Sequence, residues 1–124
     1  MALKLIILWM LEWKEFWSYK VCRCSWVVTK SGRLLKPWKS YNRENTIYLR
    51  VTLHDGDVKK VFRHHRLVSN LFNGPVDGLE VDHNDRITTN NWAWNLENVS
   101  AQENKRRRVW ESKLLREVKN ECAA

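Results

Sequence analysis

The side chains best suited to acid–base or metal chemistry crowd into one stretch of the second half: Asp82-His83, Asn90-Asn91, Asn95 and Glu103-Asn104. An imidazole has an unperturbed pKa of about 6.5, so a histidine such as His83 can accept a proton near neutral pH. Oxygen side chains favour hard divalent cations. The charge layout adds to this. Residues 1–76 carry a net charge of +9, residues 77–103 a net of −5 with Arg86 their one Lys or Arg, and residues 104–124 a net of +4. Basic flanks attract phosphates and release counterions, while oxygen ligands in an acidic centre can hold a cation. That layout suits a metal-dependent enzyme acting on nucleic acid; a chance cluster in a solvated loop fits the charges equally well.

Composition sets the frame for these residues. The 124 residues include 22 Lys and Arg against 14 Asp and Glu, for a net charge of +8. With 44% hydrophobic and 29% charged residues the chain reads as globular, and its length limits it to one domain or two small modules. Eight tryptophans can fill a small core or stack on nucleobases. Three cysteines cannot pair off completely, so no disulfide framework is expected. Cys22 and Cys24 lack a second close pair of ligands for a structural zinc; with Trp26 and Val28 they alternate as the buried face of one strand. The apolar run Met1–Leu11 is broken by Lys4 and falls short of the roughly 20 residues that span a bilayer. It is expected to pack on the body or to form a loosely fixed extension, in a cytoplasmic protein with no membrane partner.

The elements that must position the polar stretch are legible from periodicity. Residues 19–28 alternate as a strand, and Ser31-Gly32 turns the chain toward Leu34-Leu35. Ile47, Leu49, Val51 and Leu53 mark one face of a second strand, with a hairpin at Asp55-Gly56 and a return over Val58–Arg63. Leu67, Val68, Leu71 and Phe72 recur at helical spacing until Asn73-Gly74-Pro75. Short strands are expected at Leu79–His83 and Leu96–Val99, joined by a polar loop over residues 84–94. Ser100-x-x-Glu103 then reads as a capping box opening a long helix with Trp110, Leu114, Val118 and Cys122 along an apolar stripe. The predicted class is α+β: an antiparallel β-rich module over residues 1–63, then a strand–loop–strand–helix unit within residues 64–124, its core at about 79–119.

That order, with Val81-Asp82-His83, Asn90-Asn91, Asn95-Leu96 and Glu103-Asn104 inside it, resembles the HNH nucleases and their ββα-metal fold. From His65-Arg66-Leu67-Val68 to Asn104 it resembles the branch found in phage and intron-encoded homing endonucleases. Twelve residues separate His83 from Asn95 and nine separate Asn95 from Asn104, as that branch requires. Upstream, Trp13, Tyr19-x-Val21, Gly32-Arg33 and Leu35-Lys36-Pro37 are similar to a small DNA-contacting module, with Ser25 where a glycine is usual. Two departures stand out. Asp85-Arg86-Ile87 replaces the usual Asp-Gly-Asn, and Trp92 and Trp94 replace polar residues.

The resemblance implies a metal-dependent DNA endonuclease, phage-encoded and free-standing. His83 would be the general base, and Asn95 would pin the loop and help to orient it. Asp82 and Asn104 would hold one Mg2+ or Mn2+, with phosphate oxygens and waters completing the shell. Double-stranded DNA is the expected partner, gripped by Lys105, Arg106, Arg107, Arg108, Arg86 and His65. For His65 a packing role competes with a phosphate contact, and Trp92 and Trp94 could stack on bases or tuck under the loop. One site per chain favours nicking unless two copies assemble, and the sequence leaves monomer and homodimer open. The rival reading is a nuclease fold that has lost cleavage and serves as a DNA-binding regulator; a zinc protein using Cys22, Cys24 and a histidine is a third.

Overall fold

Residue parity along the N-terminal strands decides where the chain turns. The computed structural model describes residues 11–123. All of the Met1–Leu11 run except Leu11 therefore lies outside the described residues. Strands β1 (Trp13–Phe16), β2 (Tyr19–Cys22), β3 (Val27–Thr29) and β4 (Leu34–Leu35) form an antiparallel meander. The single strand expected over residues 19–28 is in fact two. Tyr19 and Val21 are buried on odd positions and Cys22 follows at once, so the inward parity changes there. The chain then turns through Ser25, whose φ of 74° is left-handed, and Trp26 is left 55% exposed. Cys22 is buried and its thiol is pushed up to about 12, chiefly by that burial.

A second sheet holds β5 (Trp38–Tyr41), β6 (Ile47–Asp55) and β7 (Val58–Arg63). Its hairpin turns one residue later than the sequence suggested. Asp55 pairs with Val58, so Gly56-Asp57 is the loop, and Gly56 at φ 57° takes the central position that demands glycine. Val51 and Leu53 face the core, whereas Tyr48 and Arg50 line the cleft described below.

β7 runs directly into helix α1 (His64–Phe72), which opens without a side-chain cap and ends at Asn73 before Gly74. The third sheet pairs β8 (Glu80–His83) with β9 (Leu96–Val99), so that Asp82 faces Glu97 across the ladder and His83 faces Leu96. Helix α2 (Ala101–Ala123) follows after Ser100. The Ser100 hydroxyl accepts from the Glu103 amide at 3.1 Å, which is half of the expected capping box. Glu103 turns instead to Arg106 and Arg107. The expected α+β class with a ββα unit is what the chain forms.

One core spans the division expected at residue 63. Tyr19, Val21 and Val27 of the first sheet, Val51 and Leu53 of the second, Leu67 and Val68 of α1, and Ala93 and Leu96 make one buried cluster. Each fully buried side chain of this kind contributes roughly 1.5–3 kcal/mol. The stripe on α2 lies outside that core: Trp110, Leu114 and Val118 are all more than half exposed.

Candidate active site

Polar clasps around α1 hold the ββα unit in place. Arg66 donates to the Leu79 carbonyl at 2.9 Å and to the Val76 carbonyl at 3.1 Å, fixing the entry to β8. Asn73 donates to the carbonyls of Ala93 and Leu96 at 2.9 and 3.0 Å, fixing the entry to β9. These bonds satisfy carbonyls that loop backbone would otherwise leave unpaired.

The loop between the strands is pinned from within. Asn95 donates to Asp85 at 2.9 Å and to the Asn90 carbonyl at 2.8 Å, and accepts from the Asp85 amide at 3.1 Å. Bonds from Asn90, the Ile87 amide and Asn95 hold the Asp85 carboxyl below the usual carboxylate range. Asn95 thus anchors the loop, but its amide makes none of the bonds that reach His83. That bond comes from Asn91, whose Oδ1 lies 2.8 Å from His83 Nε2. Sequence reasoning gave Asn91 only a loop-shaping part, since no spacing distinguishes it from Asn90. Its burial does: Asn91 is 2% exposed.

Asp82, His83 and Asn104 line one cleft of about 520 Å3, together with Tyr48, Arg86 and Glu111. All three are buried. Asn104 sits in the first turns of α2, and its Nδ2 donates to Glu80. That leaves Asn104 Oδ1 buried without a hydrogen-bond partner. A buried carbonyl oxygen in this condition costs about 1–3 kcal/mol unless something satisfies it. A hard cation beside the Asp82 carboxylate is the kind of group it fits. Among the described residues no three His, Cys, Asp or Glu side chains converge on a metal position.

Asp82 is already engaged by cations of the chain itself. Arg86 Nη1 lies 2.6 Å from its Oδ1 and Arg107 Nη1 3.3 Å from its Oδ2. Arg86 has φ 63°, the left-handed region that the usual glycine would occupy without strain. Its guanidinium also pairs with Glu111, which more than Asp82 holds it charged. Arg107 bridges Glu97 at 2.9 Å and Glu103 at 3.1 Å as well. Arg106 and Arg107 hold the Glu103 carboxyl down to about 2.

The expected DNA grip changes accordingly. Consecutive helix residues fall about 100° apart, so Lys105–Arg108 cannot form one patch. Arg86 is committed to Asp82 and Glu111 inside the cleft, Arg107 to Asp82, Glu97 and Glu103, and Arg106 pairs with Glu103 at 2.8 Å. Lys105 and Arg108 carry no ion pair among the described residues, and Arg108 lines the cleft. His65 is 7% exposed, with its ring 5.3 Å from His83 and 5.5 Å from Tyr48. It is a packing neighbour of His83 rather than an exposed phosphate contact. The rings of Trp92 and Trp94 pack against each other at 5.2 Å with a tilt of 30°, and Trp92 is 46% exposed.

Burial of the two α1 histidines makes stability depend on pH. Desolvation pushes His65 down to about 3, helped by the charges of His83, Arg63 and Arg66, and it lowers His64 as well. The unfolded chain takes up these protons near pH 6.5 and the folded chain does not, so stability falls as pH drops from there toward 3. Each such histidine costs up to about 1.4 kcal/mol per pH unit. The depressed carboxyl of Glu103 adds its loss only below about 4.5. Urea denaturation should therefore give a lower midpoint at about pH 5 than at about pH 7, and equal midpoints would contradict neutral buried imidazoles.

Comparison with known proteins bears on this geometry. A family model described as HNH endonuclease matches residues 62–106, the span from the end of β7 through Asn104. None of the curated proteins compared matches the chain. A solved structure described as "DNA binding and cleavage by the HNH homing endonuclease I-HmuI" is 30% identical. The match covers 88% of this chain and 68% of that one, with a TM-score of 0.66. With the ββα unit, the Asp82-His83 strand and the Asn104 helix in one cleft, the chain belongs to the HNH endonuclease family.

Proposed function

We propose that the chain is a metal-dependent DNA endonuclease that nicks duplex DNA by hydrolysing a phosphodiester bond. The observation that carries this reading is the unpartnered, buried Oδ1 of Asn104 in the cleft shared with Asp82 and His83. Asp82 and Asn104 would hold one Mg2+ or Mn2+ ion, which when bound supplies Lewis-acid stabilisation to the phosphate and to the departing 3′-oxygen. His83 takes a proton from the attacking water. Asn91 holds its ring from one side, and the rings of His65 and Tyr48 pack beside it. Arg108, together with Arg50 and Arg63 of the adjoining 310 Å3 recess, supplies positive charge for neighbouring phosphates. One cleft per chain favours single-strand cuts. A phage origin and action in the host cytoplasm belong to the same proposal.

Supercoiled plasmid tests it. Open circles should accumulate with Mg2+ or Mn2+ and stop with EDTA; folded protein that leaves the plasmid supercoiled under every divalent ion overturns it. The second reading, a DNA-binding regulator without cleavage, is favoured by one observation: two guanidinium groups already neutralise Asp82. It predicts a plasmid mobility shift without nicks. Arg86→Gly separates the two further. Glycine at φ 63° relieves about 1 kcal/mol of backbone strain, and loss of the cation frees Asp82 Oδ1. The variant should bind Mn2+ more tightly by calorimetry and nick at lower Mg2+ than the parent. Unchanged Mn2+ affinity would mean that Arg86 does not compete at Asp82.

A further inference from the structure

A buried line of hydrogen bonds runs from the first sheet to His83. The Ser25 carbonyl, in the turn between β2 and β3, lies 2.7 Å from His64 Nε2. His64 Nδ1 lies 3.1 Å from Asn91 Nδ2, and Asn91 Oδ1 lies 2.8 Å from His83 Nε2. His64 and Asn91 are each 2% exposed and His83 is 5% exposed, so water cannot substitute along the line.

The carbonyl at one end sets the direction of every bond. A carbonyl only accepts, so His64 must carry its proton on Nε2. Burial holds His64 below the ordinary imidazole range, so it is neutral and Nδ1 has no proton. That nitrogen accepts, which places the NH2 of Asn91 toward His64 and its oxygen toward His83. His83 must then donate through Nε2, leaving Nδ1 as its basic nitrogen. No described residue bonds to that nitrogen, and the side chain lines the cleft with Asp82 and Asn104.

We propose that His64 is a positioning residue for the reaction: from the Ser25 carbonyl it fixes the orientation of Asn91 and, through it, the tautomer of His83. This rests on the reading of His83 as the base. When water is activated, an O–H bond breaks and an N–H bond forms at His83 Nδ1, while Nε2–H stays on Asn91. Without His64, the amide of Asn91 is free to turn over and present NH2 to His83. The imidazole would then carry its proton on Nδ1, and the lone pair would point into the protein. The turn over residues 22–26 is therefore part of the catalytic unit. It also touches the loop directly, where the Ala93 amide donates to the Arg23 carbonyl at 2.8 Å. The left-handed φ of Ser25 directs the chain through that turn.

Imidazole nitrogen–proton correlation spectra of the 15N-labelled full chain, at about pH 8 without metal, test this directly. The chain has four histidines, and both His64 and His83 should show neutral rings protonated on Nε2. A proton on Nδ1 of His83, or an even mixture, overturns the proposal without any variant. His64→Ala should move His83 toward the Nδ1–H form and slow nicking at saturating DNA by about 10–100-fold, with DNA affinity unchanged. His64→Gln should keep the Nε2–H form and recover most of the rate, because its amide can accept from Asn91 and donate to Ser25. If His64→Ala retains both the Nε2–H form and the parental rate, the proposal fails. Failure of the hydrolytic reading looks different: the expected tautomers with an uncut plasmid overturn that reading and the purpose assigned to the line. A cut plasmid with His83 protonated on Nδ1 overturns the positioning role alone.

Discussion

His83→Ala converts supercoiled plasmid to open circles about 10²–10⁴-fold more slowly than the parent, while its affinity for DNA is unchanged. In the proposed reaction the rate falls because the variant loses the group assigned to take a proton from water at the moment of attack. Affinity persists because the cations proposed to meet phosphates, Arg50, Arg63 and Arg108, lie on β6, β7 and α2 and do not depend on the imidazole. Folding should survive as well. The ring is held by one hydrogen bond to Asn91 and by contacts with His65 and Tyr48, and none of the clasps from Arg66, Asn73 or Asn95 passes through it. Nicking rates measured at saturating DNA, beside a mobility-shift titration, give both numbers. A variant that cuts as fast as the parent would remove His83 from the reaction.

Asp82→Asn keeps the shape of the side chain and removes its charge, and it should reduce nicking at fixed Mg2+ on the order of 10²–10³-fold. A neutral amide is a poorer ligand for a hard dication than a carboxylate, and the only other protein oxygen proposed at the site is Asn104 Oδ1. The fold has reason to tolerate the change, because each guanidinium on Asp82 has another acid. Arg86 keeps Glu111, and Arg107 keeps Glu97 and Glu103. Isothermal calorimetry with Mn2+ should show at least about tenfold weaker binding, a loss of roughly 1.4 kcal/mol. Raised Mg2+ should restore part of the rate in Asp82→Asn and none in His83→Ala. Equal Mn2+ affinity in parent and Asp82→Asn would take the carboxylate out of the metal site.

Much of this layout could be read from neighbouring residues in the chain. The end of α1 at Asn73-Gly74, the β6–β7 hairpin and the start of α2 at Ser100 all rest on interactions spanning a few residues. Competing interactions that periodicity does not register were misjudged. Residues 19–28 looked like one strand because their apolar alternation was read without the change of parity at Val21-Cys22. Glu103 was expected to close the capping box, yet Arg106 and Arg107 on the next helical turn claim it. The basic run looked like a DNA grip because a string of charges shows nothing of the carboxylates that other elements bring to it.

By itself the sequence determined the α+β class, the order of elements from β6 to α2 and, through the resemblance to the HNH nucleases, the pattern formed by Asp82, His83, Asn95 and Asn104, whereas β1 and β5 emerged only with the structure. The class and the element order follow from local backbone preference and from periodicities of two and 3.6 residues, which any short window carries, while the pattern rests on the resemblance. Only the tertiary structure decided that Asn91 rather than Asn95 meets His83, that His64 stands behind it, and that Arg86 and Arg107 cover Asp82. His64 and Asn91 lie 27 residues apart, as Arg107 and Asp82 lie 25 apart. Contacts at such separations depend on how the described sheets and helices pack, and that packing fixes directions which spacing along the chain does not encode.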